Sequence, residues 1–399
     1  YNTRSLAMAE AYIVGALRTA TGRNRGRLSK IHPVDLGAML VDGLLDQVGI
    51  DPLKVDDLIF GCVSQYGAQT GNVARNVALS SRLGEVVPGT TVDRQCGSAQ
   101  QAIHFAAQAV MSGTQDVVIA GGVESMSQVP MFSAVDDAAE KGRGKPKGAR
   151  LEERYPGIEF SQFMGAEMLA KKYGVTREEL DDFGYASHMK ATEATANGKF
   201  RQEILPLELT QEDGRSVIHD ADEGIRPNAS REAMKTLEPL APGGVITAGT
   251  ASQISDGAAA VMIANDAAVK KYGLKPRARI RALAVVGSDP VIMLEGPIPA
   301  TQKALERAGL TIDDIDLYEI NEAFGSVPLA WAKAVGADLA KLNVNGGAQA
   351  NGHPLGCTGA KLMTTLLNEL ERRKGRYGLL AICEGGGTAN ATIIERLDR

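Results

Sequence analysis

Cysteine is scarce in this chain: four residues in 399 (Cys62, Cys96, Cys357 and Cys383), all far apart. That spacing excludes a CxxC redox pair and a clustered zinc site, and it points to free thiols in a reducing compartment. The cytosol is therefore the expected location. No apolar run reaches the length of a membrane span, and no secretory leader is expected. A basic surplus is missing too. The formal net charge is −5, the wrong sign for a nucleic-acid binder or a protein of anionic membranes. Metal-ligand spacing and a dinucleotide fingerprint are also absent from the sequence.

What is present is ordinary globular composition, 44% apolar and 23% charged. The length suggests two or three domains. Glycine is abundant at 45 residues and clustered, which implies close backbone approaches at a site rather than flexible linkers. The opening YNTRSLA, ahead of Met8, reads as foreign to the fold.

Apolar strand-like runs alternate with helical stretches, the mark of an α/β protein. AYIVGALRT begins a strand, DLGAMLVDGLLDQVG is helical, and DDLIFGCVSQ and QDVVIAGGVES are strands. The C-terminal part repeats the order. A helix ends at Gly49-Ile50 in one half and at Gly309-Leu310 in the other, and an acidic connection of equal length leads to Asp56 or Asp316 and a strand. KLMTTLLNELERRKG and GLLAICEGGG echo the helix and strand that follow Cys96, so the chain reads as a duplicated α/β unit. The halves are residues 8–123 with 251–272, and 273–399. Between them, 124–250 reads as an insertion capping one face. It includes a basic Gly/Pro-rich loop, KGRGKPKGARLEERYPG, and two helices, the second opened by a Thr176/Glu179 capping box.

Four stretches carry chemistry: VDRQCGSAQQ, NEAFG, NGGAQANGHPLGCTG and CEGGGTAN, each beside a predicted strand. Cys96 stands at the start of a helix, where the dipole and free N–H groups favour a thiolate. A core cysteine is the commoner fate of this residue, but it has no need of the DRQ and GSA neighbours. Among five histidines, only His353 lies in a glycine-rich turn, the natural setting for a base serving a thiol; His32, His104, His188 and His219 have bland surroundings. Cys383 ends a strand and runs into Gly385, Gly386 and Gly387, whose N–H groups can face an oxyanion. Asn321 can donate to a carbonyl or hold a water. Two thiols, a histidine, an asparagine and a glycine triplet suggest acyl transfer with carbon–carbon chemistry. The lysines and arginines between Lys141 and Arg150 read first as a solvated loop and second as an attraction for phosphates.

Together the four motifs, with TAGTASQISDGAAAV and GPIPA, resemble the thiolase family over nearly the whole chain. The resemblance implies a layered αβαβα core of two duplicated halves with an inserted loop domain over the coenzyme A site. It implies thiolytic cleavage of 3-ketoacyl-CoA, or the reverse Claisen condensation, through an acyl-cysteine and ping-pong kinetics. Cys96 matches the acylated nucleophile, His353 its base, and Cys383 the acid/base at the α-carbon. Asn321 matches the residue that holds a water in one oxyanion hole beside His353; the N–H groups of Cys96 and Gly385 match a second. Coenzyme A contacts are implied for Arg226, Ser252, Leu237, Met164, Met293, Ala248, Ala323 and Phe324. Coenzyme A is then a substrate, no cofactor is tightly bound, no metal is used, and the assembly is a homodimer or homotetramer.

Three departures from the family pattern stand out. Gln349 and Asn351 replace apolar residues before GHP, Phe163 stands where short-chain enzymes often carry histidine, and Glu384 follows the second cysteine. Side-chain alternation at a strand end turns Glu384 away from the site; facing it, the carboxylate would raise the thiol pKa. Phe163 favours broader or longer substrates over acetoacetyl-CoA. Alternatives are a short-chain biosynthetic thiolase, a carrier-protein ketoacyl synthase, which the second thiol opposes, and a non-catalytic acyl-CoA or lipid binder, kept open by Gln349 and Asn351.

Overall fold

The computed structural model describes residues 9–210 and 214–398; the YNTRSLA segment lies outside them. In the first half, strand β1 (Tyr12–Thr19) leads to helix α1 (Pro33–Val48), then β2 (Asp57–Gly61), β3 (Gly89–Val92), helix α2 (Ser98–Ser112) and β4 (Val117–Ser125). Helices α3 (Gln162–Lys172) and α4 (Arg177–Ala196) follow, and β5 (Ser255–Ala264) closes the half. The second half holds β6 (Ala278–Gly287), α5 (Pro297–Ala308), β7 (Leu317–Ile320), α6 (Ser326–Val335), α7 (Thr358–Arg373), β8 (Tyr377–Glu384) and β9 (Thr388–Arg396).

The strands run β7-β8-β9-β6-β1-β5-β4-β2-β3 across the sheet. Pairing is parallel for β2/β4, then antiparallel for β4/β5 and β5/β1. The other half repeats it, parallel for β7/β8 and antiparallel for β8/β9 and β9/β6. Among the described residues, the strands of the two halves pair at Tyr12↔Arg279 and Ile13↔Ala278. Local chemistry repeats as well. Helices α1 and α5 both end on a glycine in the left-handed region, Gly49 at φ 73° and Gly309 at φ 66°. Asp56 accepts the N–H groups of Asp116 and Val117 at 2.6 and 2.9 Å, starting β4. Asp316 does the same for Arg376 and Tyr377 at 2.6 and 2.9 Å, starting β8. The matched Gly-to-Asp spacing thus has a job: it delivers a carboxylate to the head of the neighbouring strand.

Three apolar cores define the layers. One packs α1 on the outer face of the first half, and another packs α3, α5 and α6 on the outer face of the second. Between the two halves of the sheet lie α2 and α7, through Ala99, Ala102, Ile103 and Ala106 against Ala360, Met363 and Leu367. This gives the αβαβα order. The two central helices come so close that a Cβ on Gly359 would stand 2.3 Å from the backbone nitrogen of Gln100. Glycine at 359 is a requirement of that crossing.

The Thr176/Glu179 capping box forms as read, with bonds of 2.7 and 3.2 Å. The segment 124–250 is tied to the core by a buried ionic cluster, Arg18 to Glu203 at 2.7 Å and to Asp222 at 2.8 Å. Part of the basic run, expected as loop, is helical over Ala149–Arg154. Two of its charges are paired locally, Lys141 with Asp137 and Lys147 with Glu152.

Candidate active site

Cys96 follows β3 in a tight turn. Gln95 is held in the left-handed region at φ 49°, its N–H on Asp93 Oδ1 at 2.7 Å. Ser98 braces the turn, its hydroxyl accepting from Arg94 N at 2.9 Å and donating to Gln95 O at 2.6 Å. Of the four free thiols only Cys96 is incompletely buried. With Gly385 and Gly386 it lines a cavity of about 510 Å³. Among the described residues, the N–H groups of Cys96 and Gly385 have no backbone acceptor, which leaves both free for an oxyanion.

Cys383 is the last residue but one of β8, buried, opposite Ala389 in the hairpin to β9. Its pKa is pushed well above the usual thiol range by burial, then by Cys96 and Glu384. Burial, with Glu384 next, also pushes Cys96 up to about 12. This corrects the expectation from the helix dipole: a desolvated sulfur beside a carboxyl outweighs the positive helix end. Cys96 rests as a thiol and needs a base.

His353 sits in its glycine turn, with Nδ1 2.6 Å from Thr358 Oγ1 and Nε2 3.3 Å from Asn321 Nδ2. Thr358 donates its one hydroxyl proton to Pro354 O at 2.8 Å. Its oxygen must therefore accept from Nδ1–H, and Nε2 carries the lone pair. Burial and the nearby Lys361 ammonium hold the imidazole down to about 3, so it is neutral. Lys361 also fixes the turn by donating to Gly352 O at 3.1 Å. Among the described residues, buried Asn321 Oδ1 has no hydrogen-bond partner. The NEAF turn is locked by Glu322, which accepts from Asn343, Ser187 and the N–H of Gln349 at 2.9, 2.8 and 3.1 Å.

Two further cavities lead outward. A narrow one of about 50 Å³ is lined by His353, Ser252, Ala323, Phe324 and Phe163, and shares Met131, Gln162 and Leu355 with the Cys96 cavity. Through Gln253 it meets a third, about 380 Å³, lined by Arg226, Leu237, Ala248 and His188. Ser252 N donates to Ala323 O at 2.9 Å, pinning the loop before β5 to the NEAF turn. Cys96 and Gly385 thus line one of three adjoining cavities and His353 the next, Cys383 and Asn321 line none of the three, and most of the contact residues are spread along the second and third. Met293 lines the Cys96 cavity, whereas Met164 is half-exposed on α3 and lines none of the three.

Three residues behave differently from their sequence reading. Glu384 does not turn away: it is fully buried, with Oε1 1.9 Å from where a Cβ on Gly97 would stand. Strand β8 is buried along nearly its whole length, so alternation has no water-facing side to offer the carboxyl. His188, taken as bland, lines the outer cavity, and its Nδ1 accepts from Arg226 N at 3.2 Å. Its signal was the small-residue stripe Gly184, Ser187, His188 and Ala191 at helical spacing. Gln349 also lines the outer cavity, and neither it nor Asn351 bonds to His353.

The comparisons with known proteins give the family. Residues 11–267 match the model of the thiolase N-terminal domain, and 274–396 that of the thiolase C-terminal domain. The chain belongs to the thiolase family. It is 54% identical over 398 residues to the steroid 3-ketoacyl-CoA thiolase FadA6 of Mycobacterium tuberculosis, covering 99% of this chain and 96% of that one. It is 44% identical to a 3-ketoacyl-CoA thiolase of Alcanivorax borkumensis and 43% to one of Idiomarina loihiensis, each over 98% of this chain and 100% of the relative. Among the described residues of this thiolase no group of His, Cys, Asp or Glu could hold a metal, and no helix is long and apolar enough to cross a membrane.

Proposed function

We propose that this thiolase cleaves 3-ketoacyl-CoA to acetyl-CoA and a shortened acyl-CoA by a ping-pong route through an acyl-Cys96. His353 Nε2 takes the Cys96 proton, and the sulfur bonds to the keto carbon. The oxygen left negative is received by the N–H groups of Cys96 and Gly385. The bond between the keto carbon and the α-carbon then breaks. Its electron pair goes to the α-carbon, which takes the Cys383 proton, and acetyl-CoA leaves. As enolate charge develops on its thioester oxygen, the new Nε2–H and an Asn321-bound water donate to it. The imidazolium proton restores the Cys383 thiol. Free coenzyme A then gives its proton to His353 and attacks the acyl-Cys96, and the leaving sulfur recovers that proton.

The observation that carries this reading is the Thr358–His353–Asn321 chain, which supports a neutral imidazole with its lone pair available beside a cavity holding Cys96 and Gly385. For coenzyme A, the trough from Arg226 through Ser252 and Phe324 offers a path whose narrow middle suits a pantetheine arm. The acyl group occupies the cavity of about 510 Å³, which supports groups well beyond acetyl. Phe163, packed edge-to-face on Phe324 at 5.5 Å, adds an apolar wall to the narrow cavity that adjoins it. With the relative named for steroid substrates, these features favour branched or ring-bearing 3-ketoacyl groups. A panel of 3-ketoacyl-CoA substrates, each assayed with varied coenzyme A, tests the proposal. Parallel double-reciprocal lines and a higher kcat/KM for bulky substrates than for acetoacetyl-CoA are expected. Intersecting lines would refute the acyl-enzyme, and a preference for acetoacetyl-CoA would refute the substrate assignment.

A further inference from the structure

Glu384 is a buried carboxyl beside both thiols for which this mechanism has no use. Its Oε2 accepts from Thr388 Oγ1 at 2.6 Å, across the glycine hairpin that carries Gly385. With its amide oriented to satisfy both ends, Asn390 donates to Glu384 Oε1 at 3.2 Å and accepts from Gln101 N of α2, also at 3.2 Å. The carboxyl is therefore fixed between the Cys383 hairpin and the first turn of the Cys96 helix. Gly97 leaves it that space, since any side chain there would collide with it. The charged and titratable groups that face it are Arg94 and Asp93, in the turn before Cys96, and the two thiols. Arg94 favours its charge and Asp93 opposes it.

We propose that Glu384 is a positioning residue that acts as a charge gate on both sulfurs, leaving Cys96 able to give up its proton while the carboxyl is neutral and holding Cys96 and Cys383 protonated once it ionises. The proposal rests on the assignment of Cys96 as nucleophile. One carboxyl placed against the Cys96 turn and adjacent in sequence to Cys383 raises the cost of a negative charge on either sulfur. Burial pushes its own pKa up to about 8. The gate is thus open at neutral pH and closes as pH rises through that value. No atom of Glu384 enters the substrate, and no bond to it forms.

Alkylation of Cys96 by iodoacetamide, followed by peptide mass on the full chain across pH values on either side of about 8, tests this without turnover. The attacking species is the thiolate, so the logarithm of the rate climbs one unit per pH unit while Glu384 stays neutral. It should flatten as Glu384 ionises, because each further unit of pH then removes as much gated-open protein as it creates thiolate. In Glu384→Gln, which keeps the shape and the Thr388 bond, the line should run straight on. One to two units above the break the variant should react about ten- to hundredfold faster than the wild type. The kcat/KM of the wild type should decline above the same pH, and that of the variant should not. Superimposable alkylation profiles would overturn the gate. If the variant fails to fold, the wild type decides alone: a straight line through this range overturns the proposal and a break supports it. Alkylation needs no substrate, so a chain inactive on 3-ketoacyl-CoA can still show the break, and an active chain without it refutes only the gate.

Discussion

Replacing Thr358 by valine tests the proton placement on His353. The side chain is fully buried, and valine keeps its shape. The only hydroxyl proton goes to Pro354 O, so the 2.6 Å contact with Nδ1 is a bond donated by the imidazole. Without it, Nδ1–H has no acceptor in a buried site, at a cost of about 1–3 kcal/mol. The ring escapes that cost by moving its proton to Nε2, which is the atom that must receive the Cys96 proton. The productive tautomer is then disfavoured by the same energy, which lowers kcat/KM about 5- to 150-fold. Thr358→Ser retains the oxygen and should stay within about threefold of the wild type. The assay is initial-rate thiolysis of a 3-ketoacyl-CoA, with the rate of Cys96 acylation measured alongside, since the defect belongs to that step. Thermal midpoints of both variants report the separate loss of the hydroxyl bond to Pro354 O, an oxygen that keeps the Cys357 N–H at 3.1 Å. Wild-type kcat/KM and acylation in Thr358→Val would refute the tautomer argument.

Cys383→Ala should still acylate Cys96 from a simple acyl-CoA yet lose carbon–carbon cleavage by at least about a hundredfold; Cys96→Ala should lose both, and half-reaction assays separate the two. Because burial and Lys361 hold His353 down to about 3, the base stays neutral throughout the range where a free imidazole would be protonated. Thus kcat/KM should show no acid limb near pH 6.5, and a fall with that midpoint would contradict the placement of the imidazole. Gly97→Ala drives a Cβ to within 1.9 Å of Glu384 Oε1, an overpacking worth about 1–3 kcal/mol. Denaturant unfolding should show that loss and its recovery in the Gly97→Ala/Glu384→Ala double variant, whereas additive losses would show that the two do not touch.

Much of this was legible in the sequence because repetition carries information. The Gly49/Asp56 and Gly309/Asp316 pairs foretold two equivalent helix–strand connections, and in the folded chain both aspartates perform the same strand-starting task. The proposed catalytic set was chosen from the sequence because each member sits in a context its neighbours do not otherwise explain, such as Gln95-Cys96-Gly97 or Gly352-His353-Pro354. What escaped was non-local. Alternation along β8 predicts an outward Glu384 only if one face meets water, and burial from the second sheet face is a property of the layers. His188 acquires its role from Arg226, 38 residues on, which no local pattern specifies. The thiol pKa values are set by desolvation, so the dipole argument had the right local sign and the wrong magnitude.

The most direct test is to incubate the Cys383→Ala protein with an acyl-CoA, without free coenzyme A, and to map the adduct by peptide mass. One acyl group on Cys96, removed by added coenzyme A, is the predicted result. An adduct on Cys357 or Cys62, or full release of coenzyme A with Cys96 unmodified, would contradict the account.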